Sequence, residues 1–484
     1  MADTDLRIRP TLGERRPSAL GHRRPPALGM RRPSVLGSRE FSTLGKRRPR
    51  RSRTLSGRTP RALRAQTPRT LSERPARAGV LGRLHAAVLR IDAATSPGRD
   101  RAVDALRALS ILGVVLGHWL VTGVVLRADG HLLGDSPLRE VPALTPLSWL
   151  LQPLAIFFFV GGRVAAQGYA AGRTRRMSYG SWLAQRLRRL SRPVVPLLSL
   201  WLLVLVGMVA AGTAHETVST LLGLVVSPLW FLAVFALLTA ATPLVYRHGA
   251  LVAILACGVV ALLDVADRVT GGAAWVEPVR NLNVLAGWLV PYALGAVWAA
   301  GGFTRRRYAA ALFATGTLAM AGLILWGGYP ASMVGVPGSE ASNLSPVSLA
   351  AVSFGTAQCG AALLLCRPLR RLLTGPSRVA AARTGNPDVP LRATPGQFLW
   401  AAVALLNLSA ITVFLWHQTA MLAVTTMTLG FGHPLFGLHT PPDAPVWAAA
   451  RLAWIPVFTV VLIVLAAGFR HVERGSRPAY QKAA

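Results

Sequence analysis

Apolar runs recur along this chain from about residue 100 to residue 470, and several exceed about 18 residues, enough for a helix to cross the hydrocarbon core of a bilayer. A backbone in hydrocarbon must satisfy its own hydrogen bonds, so a chain built from such runs is confined to a bundle of membrane helices. Ten spans can be marked, at roughly 103–125, 146–170, 193–213, 227–246, 249–265, 282–301, 308–327, 347–366, 398–427 and 447–469. The ninth is long enough to be tilted or broken. With 52% hydrophobic and 15% charged residues, the chain reads as an all-α polytopic membrane protein rather than a soluble enzyme.

The connections test this topology by their charge. Segments 172–192, 302–307 and 367–397 carry seven, three and six Arg, and the turn at Tyr246-Arg247-His248 adds one. The alternate set, 126–145, 214–226, 266–281, 328–346 and 428–446, holds only Arg127, Arg139, Arg268 and Arg280. Cytoplasmic loops concentrate Arg and Lys. The arginine-rich set therefore faces the cytoplasm, and both termini lie there, as an even number of spans requires. The expected location is the cytoplasmic membrane, multi-pass.

Ahead of the first span, residues 1–100 hold 24 Lys+Arg against 7 Asp+Glu, half of the net charge of +34. Nearly all are Arg, as a GC-rich bacterial genome would encode. A degenerate repeat of eight begins at Arg15-Arg16-Pro17-Ser18-Ala19-Leu20-Gly21, and its Pro and Gly forbid a continuous helix while few large apolar side chains remain. Residues 1–98 are expected to be a disordered cytoplasmic tail, 99–472 the ten-helix domain and 473–484 a second short tail. The long tail reads either as a polybasic segment held on anionic lipid, at about 1 kcal/mol per basic residue, or as solvated sequence translated from a misassigned start. Almost no aromatics are available to stack on bases, so nucleic acid is not an expected partner. Cys257, Cys359 and Cys366 fall in spans without metal-type spacing; they read as small core residues, and no metal is expected.

One span carries ionisable residues that hydrocarbon does not tolerate unless they are paired or wetted: Asp104-Ala-Leu-Arg107, then ten residues, then His118. At about 100° per residue, the eleven steps from Arg107 to His118 return almost to the same azimuth, and Asp104 lies about one turn below. One stripe holds all three, with Arg107 and His118 roughly 16 Å apart along it. The pattern fits a polar passage running inward from one membrane face.

Asp-x-Leu-Arg followed by ten residues and His resembles the first transmembrane helix of the membrane acyltransferase-3 family. Further stretches are similar to the family in order: Phe157-Phe-Phe-Val-Gly-Gly162 in the second span, Arg189-x-x-Arg192 before the third, Trp230-Phe-Leu in the fourth, Asn281 and Asn283 to Gly295 in the sixth, and Phe414-Leu-Trp-His417 in the ninth. The resemblance implies transfer of an acyl group from a cytoplasmic acyl-CoA, a substrate rather than a resident cofactor, to a hydroxyl of an extracytoplasmic carbohydrate or similar acceptor, as in O-acetylation of polysaccharides. Such chemistry needs a base for the acceptor proton and positive charge near the thioester oxygen. His118 suits the base, and Asp104 would orient Arg107 by an i,i+3 pair. Arg189 and Arg192 would meet CoA phosphates, because guanidinium forks match phosphate oxygens. His417, Trp230 and Asn283 complete the expected substrate-binding set. No Gly-x-Ser-x-Gly elbow is present, which favours direct transfer over a covalent acyl-enzyme.

Each of these residues also has a plainer reading. Arg189 and Arg192 could serve topology alone, Trp230 an interfacial anchor, Asn283 a bond across helices, and His417 a bonded core histidine. Arg163 either snorkels to headgroups or joins the donor site, and connection 328–346 is either a cover over an acceptor pocket or a linker. The competing function is a transporter or flippase for a polar or lipid-linked substrate, which would predict repeats between the two halves, and none is visible. A catalytically silent scaffold is a third.

Overall fold

The computed structural model describes residues 79–335, 342–374 and 392–474. Most of the expected N-terminal tail, residues 1–78, lies outside the described residues, as do 336–341, 375–391 and 475–484. In chain order the elements are α1 (Val80–Ala93), α2 (Arg101–Val121), β1 (Gly123–Leu126), β2 (Leu132–Asp135), α3 (Pro137–Glu140), α4 (Thr145–Leu150), α5 (Leu154–Thr174), α6 (Tyr179–Ser191), α7 (Val194–Ala210), α8 (His215–Val226), α9 (Leu229–Ala240), α10 (Thr242–Thr270), α11 (Val276–Arg280), α12 (Leu282–Ala299), α13 (Arg306–Leu325), α14 (Leu349–Leu373), α15 (Pro395–Leu408), α16 (Ala410–Met427) and α17 (Pro445–Arg474). Among the described residues, ten helical stretches are long and apolar enough to cross a membrane.

Three departures from the expected spans have local causes. Within the expected tail, the described residues from 79 on include the helix α1. The Pro/Gly repeat has faded by then, and α1 runs fourteen residues, burying Val88 against Ala393 and Ala401. Asp92 pairs with Arg101 at 2.7 Å and accepts from Gln397 at 2.9 Å, and the Trp400 indole donates to Thr95. Second, the expected connection 214–226 is the helix α8. It has no proline before Pro228, and Thr217, Val218, Leu221 and Val225 recur at helical spacing on its buried face. Third, the ninth span is broken at Ser409, as its length allows, so that the stretch of crossing length is Ala410–Phe431 and Pro395–Leu408 is a separate shorter helix. The chain also kinks at His248 inside α10.

Close backbone packing holds the centre. A side-chain carbon on Gly162 of α5 would collide with the Tyr292 carbonyl of α12, and one on Gly295 with the Phe159 carbonyl, so both positions must be glycine for these helices to touch. Beside this contact Phe158 stacks on Trp288 and Phe159 on Trp298, each pair 5.0 Å between ring centres. Cys359 and Cys366 are buried with Ala102, Leu106 and Phe159, as small core residues.

The charged groups at the two ends of α2 fix its position. Asp100 caps its N-terminus by accepting from the Ala102 N–H, and pairs with Arg370 at 2.6 Å and Arg163 at 3.4 Å. Burial opposes ionisation of the Asp100 carboxyl, but the hydrogen bonds and charge of Arg370, with the charge of Arg163, hold it below the usual carboxylate range. Arg163 also lies 3.8 Å over the Trp298 ring, so it neither snorkels freely nor lines a cavity described below. At the other end the buried Arg451 donates to the carbonyls of Trp119 at 2.7 Å, Thr122 at 2.9 Å and Gly437 at 2.9 Å. These satisfy carbonyls that a helix terminus leaves open. The antiparallel β1–β2 hairpin follows, tied to α8 by the Leu132 N–H on Thr217 and to the chain near α17 by the Leu126 N–H on the His439 carbonyl.

Candidate functional site

Two cavities lie along α2. The first, of about 400 Å³, is lined by Arg107 together with Arg175, Gln185, Arg186 and Arg189, over an apolar wall that includes Ile111, Phe157, Val160 and Trp182. The second, of about 530 Å³, is lined by Val114, Gly117, His118, Trp230 and Gln418, with Val334, Gly335, Ser342, Leu344 and Ser345 from the long connection. Phe231 and Phe414 wall both. The Arg107 to His118 stripe thus has its cation in one chamber and its imidazole in the next, where a single polar passage had been expected.

The arginine cluster follows from helical periodicity in α6. Trp182, Gln185, Arg186, Arg189 and Leu190 recur at the three- and four-residue steps of one helix face, and that face lines the cavity. Arg186 rests 5.0 Å over the Trp182 ring and donates to the Val164 carbonyl of α5. Gly168 makes room for it, since a side-chain carbon there would run into the guanidinium. Arg192, at the exposed C-terminal end of α6, does not line the cavity. Of the expected pair Arg189 and Arg192, only Arg189 lines the cavity, together with Arg186 one turn before it.

The histidine chamber is assembled by α2 and α16. His118 and His417 stand 5.1 Å apart between ring centres, tilted by 46°, and the Gln418 amide meets His118 Nδ1 at 3.2 Å. The Trp119 indole donates to the His417 carbonyl at 3.0 Å and Asn407 donates to the Asp104 carbonyl at 2.8 Å, so α15 and α16 are stitched to both ends of α2. His417 is fully buried, with Nδ1 2.5 Å from the Phe414 carbonyl. A carbonyl only accepts, so Nδ1 carries the proton of the neutral ring and the lone pair sits on Nε2. Among the described residues that Nε2 has no hydrogen-bond partner.

The other expected site residues have different placements. Asp104 forms a two-point pair with Arg99, Oδ2 2.5 Å from Nε and Oδ1 3.3 Å from a terminal nitrogen, and lines neither cavity. Its carboxylate is engaged by Arg99, on the turn preceding the helix. Asn283 is buried and donates to Asp264 Oδ1 at 3.0 Å, a bond across helices, and it also lines neither cavity. Trp230 does line the histidine chamber. Gln358 donates to the Gln152 carbonyl, the internal partner a lone amide needs.

Asp264 of α10, a carboxylate that no motif in the sequence marks, anchors the long connection. Its Oδ2 accepts from the Tyr329 hydroxyl at 3.0 Å and the Leu349 N–H at 2.7 Å. Burial, then the Asp264 charge and hydrogen bond, push the Tyr329 phenol up to about 12. Val334, Gly335, Ser342, Leu344 and Ser345 line the same cavity as His118, with 336–341 outside the described residues. The connection is a wall of the chamber rather than a linker.

No group of three or more Asp, Glu, His or Cys positioned to hold a metal occurs among the described residues. A family model described as an acyltransferase domain matches residues 100–470, most of the chain. No curated relative and no solved structure matches the chain.

Proposed function

The chain belongs to the acyltransferase-3 family and is a multi-pass membrane acyltransferase, and from that premise we propose that it moves an acyl group from a cytoplasmic acyl-CoA to a hydroxyl of an extracytoplasmic carbohydrate or similar acceptor. One observation supports this above the rest: a single helix carries Arg107 into a chamber with Arg175, Arg186 and Arg189, and His118 into a second chamber beside His417 and Gln418. Four guanidinium groups in one cavity suit the phosphates of CoA. An imidazole in the adjoining cavity suits proton removal from a hydroxyl. The arginine-rich connections, one of which contains α6, support a cytoplasmic first chamber and cytoplasmic termini.

In the transfer, His118 takes the acceptor proton as the acceptor oxygen bonds to the thioester carbon. The carbon–sulfur bond then breaks with its electron pair on sulfur, and the imidazolium returns the proton to the CoA thiolate. His417, through its unshared Nε2 and ring contact with His118, stabilises the charge that His118 gains. The acceptor lies beside Gly335, Ser342 and Ser345, whose backbone and hydroxyls suit a polar hydroxylated ligand.

The test uses the full-length protein in nanodiscs with radiolabelled acetyl-CoA and an extract of membrane glycans. Wild type is expected to pass label to an acceptor. His118→Ala should lose transfer by about two to four orders of magnitude, the range for removal of a general base, while still binding acetyl-CoA. Equal labelling by wild type and His118→Ala would reject the reading.

A further inference from the structure

Phe231 and Phe414 stand where the two cavities meet. On each of the helices they share, the lining passes from one chamber to the other within about a turn: from Ile111 to Val114 on α2, and from Phe157 to Leu154 on α5. On α9 and α16 the changeover falls on Phe231 and Phe414 themselves, each facing both chambers. A turn rises about 5 Å, so the wall is roughly one aromatic ring thick. The two rings meet at 5.0 Å, and both are nearly covered, 3% and 7% exposed. Phe157 supports Phe231 edge-on at 5.0 Å, and the carbonyl of Phe414 accepts from His417.

A wall of hydrocarbon rings between an arginine-lined and a histidine-lined chamber excludes charge in either direction, because an ion entering it loses its hydration with nothing in exchange. An apolar acyl chain suffers no such loss. Side chains this size turn by rotamer changes without moving a helix. An aromatic that served packing alone would face one chamber or neither, whereas these two face both.

Resting on the reading that the arginine chamber holds the phosphates of the donor, we propose that Phe231 and Phe414 are the passage through which the acyl end of acyl-CoA reaches His118, and that the width they leave selects the acyl group. The phosphates stay behind with Arg107, Arg186 and Arg189, roughly 16 Å along α2 from the imidazole, and only the acyl-bearing arm crosses. The two phenylalanines are specificity residues that touch substrate in transit.

Full-length protein in nanodiscs is given acetyl-, butyryl- and octanoyl-CoA, and release of the CoA thiol is followed with water as acceptor. Phe231→Ala, Phe414→Ala and the milder Phe414→Leu are compared with wild type, with acyl-CoA binding measured on each. Whatever happens to the absolute rates, the ratio of octanoyl to acetyl turnover is expected to rise about tenfold or more in the alanine variants, with Phe414→Leu between. If wild type binds and cleaves acyl-CoA but this ratio stays within about twofold in folded variants, the passage is wrong and the donor reading stands. If wild type neither binds acyl-CoA nor releases thiol, the donor reading falls and the passage falls with it. A second measurement needs no turnover. With Cys257, Cys359 and Cys366 replaced by alanine, Val114→Cys in the histidine chamber should resist a charged thiol reagent applied from the Arg107 side and should become reactive when Phe414→Ala is added. Equal reactivity with and without Phe414 would overturn the proposal.

Discussion

Arg186 and Arg192 lie on the same arginine-rich stretch, and only the first turns into the cavity. The difference is one of azimuth and of support: Arg186 lies over Trp182 and reaches the space that Gly168 leaves, whereas Arg192 stands at the exposed helix end. This yields a prediction that separates the fold from the bare spacing. A charge-assisted hydrogen bond contributes about 1.5–3 kcal/mol, or roughly ten- to a hundredfold in affinity, so Arg186→Ala and Arg189→Ala should each weaken acetyl-CoA binding by about that factor. Arg192→Ala should leave it near wild type, and calorimetric titration in nanodiscs checks all three. Arg189 and Arg192 are an i,i+3 pair, but so are Arg186 and Arg189, and the sequence offers no way to choose between them until the packing of Trp182 orients the helix. Asp104 shows the same limit. Its spacing to Arg107 is correct for a pair, yet Arg99, on the turn preceding the helix, takes both carboxylate oxygens.

At the scale of elements, α2 is the part most fully legible in advance, because its ionisable residues share one stripe and a helix obeys one period. What holds α2 in place was not legible, since the partners come from distant segments: Arg370 and Arg163 at its start, Arg451 at its end, and Trp119 on the His417 carbonyl between. The Asp100 cluster makes a pH prediction. Its carboxyl titrates below the ordinary range, which begins near pH 4. The folded state therefore gains from the charged form above that value and loses the gain as pH falls through the lowered one. Asp100→Asn keeps a capping side chain but removes the charge. Because Arg370 is half exposed, the pair contributes under about 1 kcal/mol, so the variant should melt no more than about 2 °C below wild type at pH 7. The gap should begin to narrow as pH drops below about 4 and go on narrowing as pH falls through the lowered value, as scanning fluorimetry in detergent would read. A gap that stayed constant down to the lowest pH at which the protein remains folded would mean Asp100 acts through something other than its charge.

Across the whole molecule, ten helical stretches of membrane-crossing length agree with ten apolar runs. The prediction at this scale is sidedness. Cysteines introduced singly at Thr304 and Gly130, in a protein lacking its three native cysteines, should react with an impermeant reagent from opposite faces of sealed vesicles, Thr304 from the cytoplasmic one. Labelling from the same face would sink the arginine-based orientation and the assignment of the two chambers to two sides. Hydropathy and helical period by themselves determined the class of fold, the number of stretches long enough to cross a membrane among the described residues and the stripe from Arg107 to His118, because each depends only on side chains within one segment. The packing of α1, the helix α8, the turn of Arg186 into its cavity, the approach of His417 to His118 and the phenylalanine wall were decided by tertiary structure. In each case the deciding contact joins segments far apart in the chain, and no local period records such a contact.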